Sequence, residues 1–309
     1  MNLYNNKKVF NQLVTIVANK KNIPESAVRR DYLIVYILNK LSKSEFADKC
    51  VFKGGTSLSK CYPNSIERFS EDIDLTFLGM DKSDNYCEKE LKKIEELLSE
   101  GINFSKDTES RNKRNKSSYL WFDNESDRIK LEIGCSVRPD PYSKMSFKSY
   151  IHEYLETTNQ KYIKEFCLEE VTLFVLSIER TFIDKIMAVK RHALSGTLNN
   201  KVRHLYDVVR LYKLDIIQNL IKDKQKLKQI VTNTKNTDSY YLTNKNIDKN
   251  FDSLEKYNFT SFKHLLNNEI KERYESLHED LLYTNQKQSF VAVLETFDSI
   301  SKDLESIGE

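Results

Sequence analysis

Apolar positions along the chain recur at two periods, and the switches between them outline its elements. Over residues 4–20, Phe10, Leu13, Val14, Ile16 and Val17 fall on one helical face. The strongly apolar run 32–41 predicts a second, buried helix, entered through Asn22-Ile23-Pro24-Glu25. The period then drops to two. Residues 49–53 and 71–77 predict strands, the second alternating Ile73, Leu75 and Phe77 with Asp72 and Asp74. A short helix is expected over 56–61 and a charged amphipathic one over 84–99, with Leu91, Ile94, Leu97 and Leu98 on one face. Two more strands are expected, over 117–123 and 128–135. In the second, Ile129, Leu131 and Ile133 point one way and Arg128, Lys130 and Glu132 the other. Pro139-Asp140-Pro141 marks a turn, and 174–177 reads as a last short strand.

From residue 178 the pattern is helical. Helices are predicted over 178–193 and 202–214, and the same periodicity returns at Phe262, Leu265, Leu266 and Ile270, then at Phe290, Val293, Leu294 and Phe297. A polar Asn/Thr/Lys-rich stretch, 232–250, reads as a loop. Strands first and helices last predict an α+β chain in two parts, a sheet-bearing one over 1–177 with two bracing helices and a helical one over 178–309.

Composition narrows the class. No apolar run reaches about eighteen residues, so no membrane span is expected. Cys50, Cys61, Cys87, Cys135 and Cys167 make no Cys-x-x-Cys pair and read as reduced thiols of the cytoplasm, and the five dispersed histidines give zinc chemistry no support. With 49 basic against 46 acidic residues the net charge is only +3, too balanced to name a nucleic-acid binder. Basic character is local, in Arg111, Lys113, Arg114 and Lys116 and again in Lys222, Lys224, Lys226 and Lys228. These are either solvated faces or contacts for a polyanion.

The chemistry concentrates in residues 51–77. Gly54-Gly55 are the only adjacent glycines among seven, and they precede a helix, where backbone N–H groups can approach an anion. Asp72 and Asp74, two apart on a strand, project from one face and repel each other. A divalent cation relieves that repulsion, and hard oxygen donors suit Mg²⁺ or Mn²⁺. Glu132 is a candidate third carboxylate on a neighbouring strand, and Lys130 on the same face could meet a phosphate. No Gly-Lys-Ser/Thr follows at P-loop spacing. A phosphate cradle followed by a metal-holding Asp-x-Asp outlines a nucleotidyl-transfer site.

Four segments carry a resemblance to the AbiEii/AbiGii family, the MenT-like nucleotidyltransferase toxins of abortive-infection and toxin–antitoxin systems. They are Lys53-Gly54-Gly55-Thr56-Ser57-Leu58-Ser59-Lys60, Arg68-Phe69-Ser70-Glu71-Asp72-Ile73-Asp74-Leu75, Ile178-Glu179-Arg180-Thr181-Phe182-Ile183-Asp184-Lys185, and Arg203-His204-Leu205-Tyr206-Asp207. The resemblance implies a DNA-polymerase-beta-like mixed-sheet core with a helical C-terminal part. It implies Asp72 and Asp74 as metal ligands with Glu132 beside them, and Gly55, Thr56 and Ser57 as the triphosphate cradle, with Gly54 and Lys60 also among the nucleotide-binding candidates. Lys185 is implied as a helix-borne cation on the nucleotide and Asp207 as an essential acid. Arg180 and Arg203 are further nucleotide-binding candidates. The implied reaction is transfer from an NTP to RNA, at the 3′ end of tRNA, with Mg²⁺ or Mn²⁺ and a cognate antitoxin as partner. Transfer of a nucleotide or phosphate to protein, or an NTP-binding module acting through the antitoxin, remain open.

Overall fold

The computed structural model describes residues 2–244, 257–280, 282 and 287–305. The chain divides into two compact units, one of residues 1–61 and 69–175, the other of 62–68 and 176–309.

The first unit is built on a mixed sheet. Helices α1 (Lys7–Lys21) and α2 (Glu25–Ser42) lead into β1 (Cys50–Lys53), and α3 (Gly54–Cys61) follows without a connecting loop. Then come β2 (Asp72–Phe77), α4 (Asp84–Ser99), β3 (Asn103–Lys106), β4 (Asn115–Trp121), β5 (Ile129–Gly134), β6 (Tyr142–Phe147), α5 (Tyr150–Thr158), α6 (Gln160–Glu165) and β7 (Val171–Leu176). The strand order is β3-β4-β5-β2-β1-β7-β6. At its centre β2 runs parallel to β5 and antiparallel to β1, and β1 runs parallel to β7.

Alternation decides which face each strand buries. Ile73 and Leu75 of β2 and Ile129, Leu131 and Ile133 of β5 are buried, while Asp72, Asp74, Lys130 and Glu132 between them are half-exposed. Helix α4 packs on β4 and β5 through Leu91, Ile94 and Leu98, all buried. Helices α1, α2 and α5 share a core of Phe10, Val14, Val17, Val28, Tyr32, Ile151 and Leu155.

Two strands and two helices lie outside the sequence expectation. β3 is exposed along its whole length, and β6 is exposed at Ser143, Lys144 and Ser146. An edge strand solvated on both faces has no apolar alternation to read.

The second unit centres on α7 (Ile178–Leu194), packed against α8 (Arg203–Tyr212), α9 (Asp215–Lys222) and α10 (Lys224–Asn244). Helices α11 (Asn268–Asp280) and α12 (Phe290–Glu305) pack on α8. The stretch expected as a loop over 232–250 is helix as far as Asn244, and 245–250 lie outside the described residues. Leu227, Ile230, Val231 and Thr234 are buried at i, i+3, i+4 and i+7, which supplies the face. The polar composition is absorbed by back-bonding, with Thr234 Oγ1 donating to the Ile230 carbonyl at 2.8 Å and Thr237 Oγ1 to that of Asn233 at 3.3 Å. Phe262 and Leu265, expected in a helix with Ile270, sit at two short 3₁₀ turns before α11. Among the described residues no helix is long and apolar enough to cross a membrane.

Candidate active site

Strand register brings the acidic positions of the first unit together. Asp74 is the direct partner of Glu132 across the parallel β2–β5 pair, and Asp72 that of Lys130. On the other side of β2, Lys53 is the partner of Asp74. Asp72, Asp74, Lys130 and Glu132 therefore share one face of adjoining strands.

The glycine bend closes against that face. Gly54 sits at φ +84°, and a Cβ built there would stand 2.1 Å from Asp74 Oδ2. Only a residue without a side chain lets the backbone turn so close to the carboxylate. The next residues lock the turn. Thr56 Oγ1 donates to the Asp72 carbonyl and lies 2.9 Å from Ser70 Oγ, whose hydroxyl can donate to it, and Ser57 Oγ donates to the Gly54 carbonyl at 2.9 Å. Both hydroxyl protons are thus used within the scaffold. What α3 offers an anion is its first-turn backbone N–H groups.

Lys60, expected at the nucleotide, spends its charge elsewhere. It is buried, bonds Asp31 Oδ1 of α2 at 2.7 Å and lies 4.4 Å from the centre of the Tyr150 ring. Asp31 Oδ2 also accepts from the Tyr150 N–H at 2.7 Å. Burial still pushes the Asp31 carboxyl above its ordinary range, against the pull of Lys60. This pair ties the C-terminal end of α3 to α2 and α5.

Glu132 is held by Lys130, whose Nζ lies 2.7 Å from Glu132 Oε1 and 3.2 Å from Asp107 Oδ2. Burial opposes the Lys130 ammonium, yet its bonds to Glu132 and Asp107 outweigh that and hold its pKa above the ordinary lysine value. Asp107 Oδ2 also accepts from Ser117 Oγ at 3.1 Å. Among the described residues no three His, Cys, Asp or Glu side chains converge as a ready metal set. Adjacent strands line the three carboxylates up, but the side chain of Glu132 is drawn to Lys130. The donor set itself, carboxylate oxygens on one face beside a bend without a Cβ, suits a hard divalent cation at Asp72 and Asp74.

The second unit holds a separate charged cluster. Asp207 on α8 has no solvent exposure and receives a two-pronged bond from Arg68, Nε to Oδ1 and Nη2 to Oδ2, both at 2.7 Å. Lys185 of α7 adds a third contact to Oδ2 at 2.7 Å. Burial alone would raise the Asp207 carboxyl, but Arg68 and Lys185 hold it down at about 2. His204 Nδ1 lies 3.5 Å from Lys185 Nζ, and burial with the neighbouring Lys185 and Lys201 charges drives its pKa well below the ordinary histidine value. Arg180, also buried, donates to Asp184 Oδ1 at 2.8 Å and to Thr237 Oγ1 at 3.2 Å. Arg203 is the first residue of α8 and half-buried.

A family model, nucleotidyl transferase AbiEii toxin of the type IV toxin–antitoxin system, matches residues 36–300. The chain belongs to the AbiEii family. It is accordingly a nucleotidyltransferase and a toxin of a type IV toxin–antitoxin system, which implies an antitoxin partner and an NTP substrate. The fold is similar to MenT4, nucleotidyltransferase toxin Rv2826c from Mycobacterium tuberculosis H37Rv, at TM-score 0.53 and 16% identity over 96% of this chain and 99% of that one. JHP933 from Helicobacter pylori matches at TM-score 0.38 and 16% identity, over 83% of this chain and 95% of that one. No curated protein matches it in sequence.

Several residues of this AbiEii chain escaped the sequence reading. Arg68 stands in the second motif, but its partner Asp207 is 139 positions away, and local pattern carries no trace of the pairing. Asp107 and Asp31 are solitary acids in their own segments. The basic cluster at 111–116 proves to be structural. Arg111 clamps Glu95 of α4 with two bonds, 2.6 and 2.7 Å, Arg114 bonds Asp84 at 2.6 Å, and Lys116 is buried against the Asn112 carbonyl. In the other cluster Lys226 bonds Glu179 at 2.8 Å, while Lys222, Lys224 and Lys228 are exposed.

Proposed function

We propose that this AbiEii toxin transfers nucleotides from an NTP to RNA, at the 3′ end of tRNA, in a divalent-metal-dependent reaction in the cytoplasm. Residues 1–177 act as the nucleotidyltransferase core and 178–309 as its helical domain. The observation that carries the reading is the contact of the Gly54 bend with Asp74, whose strand partner is Glu132.

In this reaction the acceptor hydroxyl attacks the α-phosphorus of the NTP. The new P–O bond forms as the bond to the bridging oxygen breaks, pyrophosphate leaves, and the hydroxyl proton passes to solvent. Asp72 and Asp74, joined by Glu132, would hold a Mg²⁺ or Mn²⁺ ion, which would neutralise the charge that develops on the phosphates. The chain's own residues do the positioning. The first-turn N–H groups of α3, at Gly55, Thr56 and Ser57, receive phosphate oxygens. Thr56, bonded to the Asp72 carbonyl, keeps that turn in register with the acids. The family resemblance adds Lys185, Asp207, Arg180 and Arg203 as further candidates for the nucleotide. Little covalent chemistry is asked of the protein, so placement and charge carry the rate.

Incubation with each labelled NTP, Mg²⁺ and total tRNA tests this. Labelled, lengthened RNA that is lost in Asp74→Asn is expected. RNA left unlabelled with all four NTPs refutes the reading, and label on protein instead transfers the reaction to a protein acceptor.

A further inference from the structure

We propose that Lys130 is a resident cation for the acidic face, exchanging between Glu132 and Asp107 when a divalent ion is taken up. The inference rests on the metal role proposed for Asp72 and Asp74. Its own basis is the position of one ammonium group between two carboxylates on different elements.

Lys130 Nζ is 2.7 Å from Glu132 and 3.2 Å from Asp107, so both ends of the exchange already lie within reach of one side chain. Asp107 precedes β4, and its Oδ2 is fixed by Ser117 Oγ at 3.1 Å. Ser117 is in turn the strand partner of Glu132 across β4–β5, which places both acceptors beside the same ladder position. Without a cation, Asp72, Asp74 and Glu132 on one face repel, and the ammonium offsets part of that repulsion at Glu132.

A doubly charged ion held by Asp72 and Asp74 changes the balance. It attracts Glu132 more strongly than a single ammonium does, and it repels Lys130. Asp107 receives the displaced ammonium, so no charge is stranded in a half-buried place. The arrangement accounts for the side chains as they stand, with three carboxylates aligned by register and the third drawn aside.

Titration calorimetry with Mn²⁺ alone, on the full-length protein, tests the exchange without any readout of activity. The variants are Lys130→Met, Asp107→Asn and the two combined, each checked for folding by its thermal melt. Lys130→Met is expected to bind Mn²⁺ about fivefold to tenfold more tightly, since the competing cation is gone. Asp107→Asn is expected to weaken binding by a similar factor, because Lys130 then has nowhere to go. The deciding comparison is the double variant, in which Asp107→Asn should cost almost nothing once Lys130 is absent. An equal cost in both backgrounds overturns the exchange and leaves the metal role standing, as does weaker binding in Lys130→Met. Mn²⁺ bound unchanged by Asp74→Asn removes the metal role and the exchange together.

Discussion

Gly54 and Asp74 touch so closely that a single added methyl group would lie 2.1 Å from the Asp74 carboxylate. The bend and the acid are therefore one device: the chain reverses at φ +84° so that the start of α3 and the end of the Asp-x-Asp pair face each other. Gly54→Ala meets both the strain of the left-handed region and the clash. A loss of about 2 kcal/mol or more is expected in chemical denaturation, with nucleotide transfer abolished. Transfer surviving in a folded Gly54→Ala protein would separate the bend from the chemistry.

Asp72→Asn and Asp74→Asn should each lower transfer by at least about a hundredfold. Their melting temperatures without added metal should be unchanged or slightly higher, because one of two repelling charges is removed. A large fall in melting temperature would instead make these acids structural.

Arg68 and Asp207 form a charged contact with almost no solvent exposure, 4% and 0% of their side chains. Asp207→Asn takes the carboxylate from two buried cations, Arg68 and Lys185, and about 3–5 kcal/mol of stability should be lost in denaturant titration, whereas Arg68→Met, in which Lys185 still meets Asp207, should cost less. Arg68→Met combined with Asp207→Leu should cost less than the sum of the two single changes.

The same carboxyl sets an acid limit. Its folded pKa is lowered to about 2, so its stabilisation is fully present above the unfolded carboxyl range near 4 and is lost as pH falls from there towards 2. The difference corresponds to about 2 kcal/mol. Stability measured between pH 4.5 and 2 should fall less steeply in Asp207→Asn than in the parent. Identical slopes would show that the carboxyl is not held low.

Arg111 bonds Glu95 while Glu95 also accepts from Ser118, joining α4 to β4. Arg111→Ala should lower the melting temperature by several degrees and leave affinity for RNA unchanged. A selective loss of RNA binding would return this cluster to the role of a polyanion contact.

The central strands were legible because each buries one face. Ile73 and Leu75, like Leu131 and Ile133, announce both the strand and the side on which its acids stand. Edge strands β3 and β6 carry no such alternation, and α10 hid behind a run of threonines and asparagines, in which the Thr234 and Thr237 hydroxyls find their carbonyls only once the helix exists. That Asp72 and Asp74 share a strand face near the Gly54 bend could be read from local spacing. The pairing of Lys60 with Asp31, on an earlier helix, could not, and neither could the Lys130 bridge to Asp107. Local pattern reports which face a residue occupies; it is silent on which distant charge will claim it.

Residues 62–68 leave the first unit and lodge in the second before the chain returns to lay down β2. Arg68 therefore waits, during synthesis, until the ribosome has added Asp207. A product cut short anywhere before that residue lacks the carboxylate that grips this guanidinium in the finished fold. Premature termination of this gene should yield an unstable fragment rather than a smaller poison, so the coding sequence guards the cell until its second half is read.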